Sequence, residues 1–210
     1  MIEGDSPLDL CSVGTDHYVG MRRATESLIN LGHTRIALIT GGPRTRAGRE
    51  RLRGLVAAFE AANLPLDPAM LRLESFAPEY GFRETQALLS LPSPPTALIA
   101  RGNQLLASVL HAVRLKGLDV PRDLSIISSG DTELAQLATP SITIIRWDLG
   151  AVGCEAANLM IKLLRGDAPS GKLRVEVRNE LVMRESCAPV SSNAPAPARG
   201  QRRELALRRR

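Results

Sequence analysis

Aromatic side chains are scarce: three Phe, two Tyr and one Trp make up 3% of 210 residues, so an apolar content of 44%, ordinary for a globular protein, is almost wholly aliphatic. Cysteine is nearly absent as well. Cys11, Cys154 and Cys187 are odd in number and far apart. That excludes a disulfide framework and any metal-ligand or redox spacing, fits a reducing compartment, and places the expected location in the cytoplasm. There is no signal peptide and no apolar run long enough to cross a bilayer, so a membrane role is not expected. The formal charge of +5 does not mark a basic body. From Ala188 onward the chain holds six arginines and one glutamate, leaving 21 basic and 21 acidic residues before it. Charge balance therefore gives no support for nucleic-acid binding by the body. No Ser/His/Asp, Cys/His or paired-carboxylate arrangement stands at an informative spacing. Gly41-Gly42 matches neither GxGxxG nor GxxxxGK[ST], so neither an enzyme, a cofactor nor a metal is expected.

The chain is organised around Arg35 to Gly54, RIALITGGPRTRAGRERLRG. Ile36 to Ile39 is a short apolar run of the kind a strand covered on both faces requires. Gly41, Gly42 and Pro43 end it, and a helix comes next with Leu52, Leu55, Val56 and Phe59 as its core face and Arg46, Arg49, Arg51 and Arg53 near its start. Ligands of open α/β sheets bind beyond the carboxyl ends of strands, so an arginine-rich strand-to-helix junction suits a polar or anionic ligand. A solvated basic helix face is the alternative.

In order, the pattern predicts a strand at Cys11 to Thr15, then a helix with Met21, Ala24, Leu28 and Leu31 on one face, stopped at Gly32. After the central unit come a weak strand at Leu71 to Phe76 and a helix from Pro78 to Leu91 with Phe82, Leu88 and Leu89 inward. A strand at Thr96 to Ala100 leads to a helix from Asn103 to Leu115, with Leu106, Leu110 and Val113 inward and Gly117 as its stop. Two more strands stand at Leu124 to Ile127 and Ile142 to Ile145, with a polar turn at Ser128 to Asp131 between them. The last elements are a helix from Leu149 to Leu164, stopped at Gly166, and strands at Arg174 to Val177 and Glu180 to Met183. Such alternation predicts parallel sheet with helices on both faces. No internal repeat is evident, and the Ala/Pro/Ser/Arg composition from Ala188 predicts an unfolded tail.

Eight blocks in this order carry a resemblance: VGTDHYVG, SLINLGHTRIALITGGP, RERLRGL, PPTALIARGNQLL, GLDVPRDLSII, GDTE, TPSITIIRWD and LVMRES. From about Val13 to Ser186 the chain resembles the lactose/galactose repressor (LacI/GalR) family. The resemblance implies a periplasmic-binding-protein-like type I effector domain of the α/β class: two parallel-sheet subdomains flank a cleft, joined by three crossovers. By analogy residues 1–33 belong to the N-terminal subdomain, 34–145 to the C-terminal one, 146–167 to the N-terminal one again and 168–187 to the end of the C-terminal one, before a disordered tail at 188–210. The family's helix-turn-helix and first strands have no counterpart here. An incomplete N-terminal subdomain with exposed apolar edges is therefore expected, with a fragment, a truncated gene or an internal Met1 as the reason.

The resemblance also implies site residues. Arg51 matches the family arginine that reaches the effector, and a guanidinium grips a carboxylate or vicinal hydroxyls with two hydrogen bonds. Phe76 matches a cleft aromatic, with a core position as its alternative. Trp147 stands at the hinge, to stack on a ligand or pack the hinge. Asn103 and Asp131 come after strand ends. Asp16 either touches the ligand or caps the following turn. His33 is expected at a helix end and His111 on the surface. Leu105 and Val109 lie where the family has part of its dimer interface, core packing being the alternative. The chain departs from the family at Gly102-Asn103, where Asn-Asp is usual, and at Gly130, where an aspartate is usual. The lost acceptors favour a sugar acid over a neutral sugar.

The function implied is effector sensing by a DNA-binding regulator of the repressor type. Its partners would be a sugar or sugar-acid effector, DNA through a headpiece absent from this chain, and a second copy in a homodimer. A solute-binding protein of a sugar transporter, using the same fold, is the alternative. A nucleotide-binding enzyme is a distant third.

Overall fold

The computed structural model describes residues 11–167 and 173–190. The expected irregular lead-in at 1–10 and the tail beyond Val190 lie outside the described residues, as do residues 168–172. The described elements run β1 (Ser12–Thr15), α1 (His17–Asn30), β2 (Ile36–Ile39), α2 (Arg46–Ala61), a 3-10 turn at Pro68–Met70, β3 (Leu71–Arg72), α3 (Pro78–Leu88), β4 (Ala97–Arg101), α4 (Gly102–Leu115), β5 (Ser125–Ser129), α5 (Glu133–Leu137), β6 (Thr143–Trp147), α6 (Leu149–Arg165), β7 (Arg174–Val177) and β8 (Asn179–Val182).

The larger sheet has the order β3-β2-β4-β5-β6-β8, with β8 alone antiparallel. Its central strands carry apolar residues at successive positions because both faces are covered. One face holds Ala37, Ile39, Leu98, Ala100, Ile126 and Ile144 against α3 and α4. The other holds Ile36, Leu38, Ala97, Ile99, Ile127 and Ile145 against α1 and α2. Polar side chains cap four of the described helices, α1, α2, α5 and α6. Asp16, Thr45, Thr132 and Asp148 accept the amides of Val19, Gly48, Ala135 and Ala151. Gly117 and Gly166 end α4 and α6 in the left-handed region, φ +66° and +76°.

The smaller sheet pairs β1 with β7 in parallel. Val13, Val152 and Leu159 form its core with α6. The division of the chain differs here from the expected one. Helix α1 belongs to the larger sheet, so the first crossing comes at Asp16, not after residue 33. The second falls at Asp148, since β6 extends to Trp147. Residues 173–177 belong to the small sheet, so the third falls at Arg178. The reason is the apolar face of α1: Met21, Ala24 and Leu28 pack with Leu55 and Phe59 of α2.

The core face of α2 is also displaced. Leu52 and Val56 are half-buried, and Gly48, Arg51, Gly54, Leu55, Ala58 and Phe59 face inward. On α3, Tyr80, Thr85 and Leu88 are buried, whereas Phe82 is half-buried with its ring 4.9 Å from that of His111, which is exposed as expected. The expected strand at Leu71 to Phe76 shrinks to two residues.

Ordered chain continues past Ala188 to Val190, whose amide donates to the Leu31 carbonyl. Ser186 explains the LVMRES block: its hydroxyl donates to the Ile126 carbonyl at 2.5 Å and accepts the Thr143 amide at 2.8 Å, joining β5 to β6. His33 is buried, and its ring serves this segment more than the helix end. Nε2 lies 3.0 Å from the Ala188 carbonyl oxygen and Nδ1 2.9 Å from Thr96 Oγ1. A carbonyl only accepts, so Nε2 carries the proton and the neutral ring accepts from Thr96.

This packing can be tested at three points. A Cβ on Gly54 would collide with the Tyr18 carbonyl oxygen, where α1 and α2 cross closely. Gly54→Ala is expected to destabilise the fold by about 1–3 kcal/mol in urea denaturation. Burial pushes the His33 pKa below its ordinary 6.5. The unfolded chain then binds this proton more readily than the native one, so stability falls as pH drops below about 6.5. His33→Gln should lose less of its melting temperature than the wild type between pH 7.5 and pH 5.5. Finally, α6 exposes Met160 by 57%, Ile161 by 47%, Leu163 by 43% and Leu164 by 80%. Light scattering of the chain should show association rising with concentration, and Ile161→Glu with Leu164→Glu should reduce it.

Candidate functional site

The parity of the strands decides which side chains meet. On the face that carries Leu38, Ile99 and Ile145, the next residues of the same parity are Thr40, Arg101 and Trp147. All three stand at the carboxyl ends of β2, β4 and β6, where α2 presents Arg51 and β1 delivers His17. Arg51 is only 2% exposed. Its Nη2 donates to Nδ1 of His17 at 3.3 Å, and Thr15 Oγ1 lies 3.3 Å from Nε2 of the same ring. The Arg51 guanidinium carbon stands 5.8 Å from the centre of the Trp147 ring and that of Arg101 stands 5.7 Å from it. His17 meets the tryptophan edge-on at 5.6 Å. Arg101 also lies over Phe76 at 4.7 Å. A weakly hydrated guanidinium stacked on an aromatic face tolerates burial better than an ammonium does.

Three of the expected residues, Arg51, Phe76 and Trp147, therefore meet. Arg101 links them, and His17 joins. Phe76 is 39% exposed and rests on Gly41, where any Cβ would strike its ring. A Cβ on Gly42 would fall 2.6 Å from the Leu73 carbonyl oxygen. Close packing thus accounts for this glycine pair without a phosphate. Arg49 donates to the carbonyls of Pro43 and Arg44 at 3.2 Å and holds that turn.

The other expected residues have different surroundings. Asp16 caps α1, its Oδ1 accepting from the Val19 amide at 2.9 Å. Asp131 is ion-paired with Arg184 at 3.2 Å and accepts from Gln136 at 3.2 Å. Asn103 is exposed in the first turn of α4. Leu105 and Val109 are 1% and 0% exposed within the α3–α4 side of the core. They have no surface to offer a second copy, and the core alternative is the one that holds.

Arg101 and His17 were not among the expected site residues. The available signal for Arg101 was a lone charged residue closing the buried run TALIA, at the parity of Ala97 and Ile99. For His17 the signal was its place after Asp16 in the VGTDHYVG block, where the family has Asp-Asn; its partners come from α2 and β6. Trp147 Nε1 and Thr40 Oγ1 are buried here with no hydrogen-bond partner among the described residues. The arrangement offers hydrogen-bond donors and ring faces, as a binding site does. The large and small sheets also touch nearby, through Arg46 of α2 and Glu176 of β7, which pairs with Arg174 at 2.8 Å as well.

Comparison with known proteins agrees with this architecture. The family model of the periplasmic binding protein-like domain matches residues 25–187. The transcriptional regulator DegA of Bacillus subtilis is 33% identical over 193 residues, covering 91% of this chain and 57% of that protein. A crystal structure of a LacI-family transcriptional regulator from Mycobacterium smegmatis superposes with a TM-score of 0.81 at 29% identity, over 90% of this chain and 70% of that one. A complex of the regulator CelR with cellobiose gives 0.78 at 29% identity, over 85% and 54%. The chain spans about half the length of the curated relatives it matches. With the block order, the two-sheet α/β architecture and these matches in agreement, the chain belongs to the LacI/GalR family, as its periplasmic-binding-protein-like effector domain.

Proposed function

We propose that this domain senses a small sugar or sugar-acid effector in the crevice between its two lobes. It would report the bound state to a DNA-binding headpiece outside this chain, as part of a cytoplasmic transcription regulator of the repressor type. The observation that carries the proposal is the Arg51–Trp147–Arg101 cluster, set beside the places where the chain passes from one sheet to the other. Donors and ring faces at such a hinge bind a ligand without transforming it, so the reading is of a binding module and not of an enzyme. The cellobiose held by CelR supports a sugar as the ligand class.

The mechanism derives from position. Asp16 caps α1 in the large lobe, while its amide donates to Val177 of the small lobe at 2.9 Å. Asn179 donates to the Asp16 carbonyl at 2.9 Å. A ligand seated against His17 and Trp147 would therefore press on the first two crossings directly, and on the third through Asn179. It shifts the lobes only if it binds their two arrangements unequally. Regulators that read palindromic DNA do so as dimers, which makes a homodimer the proposed assembly.

The test is to recover the natural gene product from its source cells with an antibody raised against this chain. Crosslinked DNA carrying a palindromic sequence is expected with it, and its recovery should change when an effector is supplied. A product released by opening the periplasm, with no DNA enriched, would overturn the regulator in favour of a transport protein.

A further inference from the structure

The cluster is built for a narrower class of ligand than sugars in general. A neutral sugar presents hydroxyls that both donate and accept, so its sites normally offer carboxylates beside donors. Asp16, Asp148 and Asp131 stand at the crossings and strand ends, and each of these three has its own partner. Asp16 caps α1, and Asp148 caps α6 through the Ala151 amide at 2.8 Å. Asp131 is held by Arg184 and Gln136. The groups that do converge are donors: two guanidiniums within 6 Å of the centre of one indole, and the indole Nε1, which only donates and is buried with no acceptor among the described residues. Arg101 adds a second feature. It lies over both Phe76 and Trp147, so the half-exposed Phe76 and the exposed Asn103 mark the side from which a ligand would reach it.

Resting on the reading of this cluster as the effector site, we propose that the effector is an anionic sugar, carrying a carboxylate or a phosphate, and that Arg101 is the residue that selects the charge. A planar guanidinium meets either group with two parallel hydrogen bonds. The low-dielectric aromatic surroundings strengthen that contact relative to water. The Trp147 Nε1 proton is a further donor within the same wall. The sugar ring would pack against Phe76, leaving Asn103 for its hydroxyls.

Trp147 is the only tryptophan in the chain, so its fluorescence reports binding at this cluster directly. The full chain is titrated with matched probes: glucose, glucuronate and glucose 6-phosphate; galactose and galacturonate; ribose and ribose 5-phosphate. The expected result is that at least one anionic member shifts Trp147 fluorescence and raises the melting temperature while its neutral counterpart does neither. Arg101→Gln should weaken that anion at least tenfold with its own melting temperature near wild type, and Arg101→Lys should recover part of the loss. Uronates binding without phosphates identifies a sugar acid, and the reverse identifies a sugar phosphate. Binding of neutral sugars alone would overturn the anionic assignment and leave the effector site standing. An anion whose affinity is the same in Arg101→Gln would remove Arg101 from the selecting role. If no probe moved Trp147, both the anionic assignment and the effector site would fall.

Discussion

Everything in this molecule depends on the parallel alignment of β2, β4, β5 and β6. Parallel strands need a crossover between them, and crossovers place helices over both faces. That is why α1 and α2 cover one side and α3 and α4 the other. The same alignment brings every strand's carboxyl end to one edge. Thr40, Arg101 and Trp147 come from strands separated by more than forty residues of sequence, yet they stand side by side because Ile39 pairs with Ala100 and Ser129 with both Arg101 and Ile145. A one-residue slip in any of these pairs would turn its last side chain to the opposite face.

The second constraint is the close contact of α1 with α2. Gly54 lets the α1 backbone approach, and this approach carries Arg51 beneath Trp147 and beside His17. A buried guanidinium is tolerable only where hydrogen bonds and ring faces replace water. The cluster that gives the site its chemistry is thus also part of the large lobe's packing. Among the described residues the small lobe consists of two strands and α6 around Val13, Val152 and Leu159.

Periodicity alone located most elements. The strand at Ile36 to Ile39 and the helix from Leu149 to Leu164 stood out because a run buried on both faces and a long amphipathic repeat are local signals. Short elements escaped. Helix α5 lies just after the polar turn, in a stretch given no element, and the expected strand after Leu71 yielded to the turn that sets Phe76 on Gly41. Among the site residues, Arg51 was legible through its family block. Arg101 was not, because a charged residue at a strand's end has meaning only when the neighbouring strand ends are known. Leu105 and Val109 were misassigned to a partner surface, since an apolar stripe says that a face is covered without saying by what.

The sequence by itself therefore determined the α/β class, the order of most strands and helices, and the family. Those properties are written in local spacing, composition and block order. Tertiary structure alone decided where the chain passes between lobes, because the choice turns on which sheet the apolar face of α1 can bury against. It also decided that three carboxylates turn to local caps and ion pairs while two arginines meet over one tryptophan. Side chains far apart in sequence find their partners only once strand register and helix crossing have fixed the distances between them.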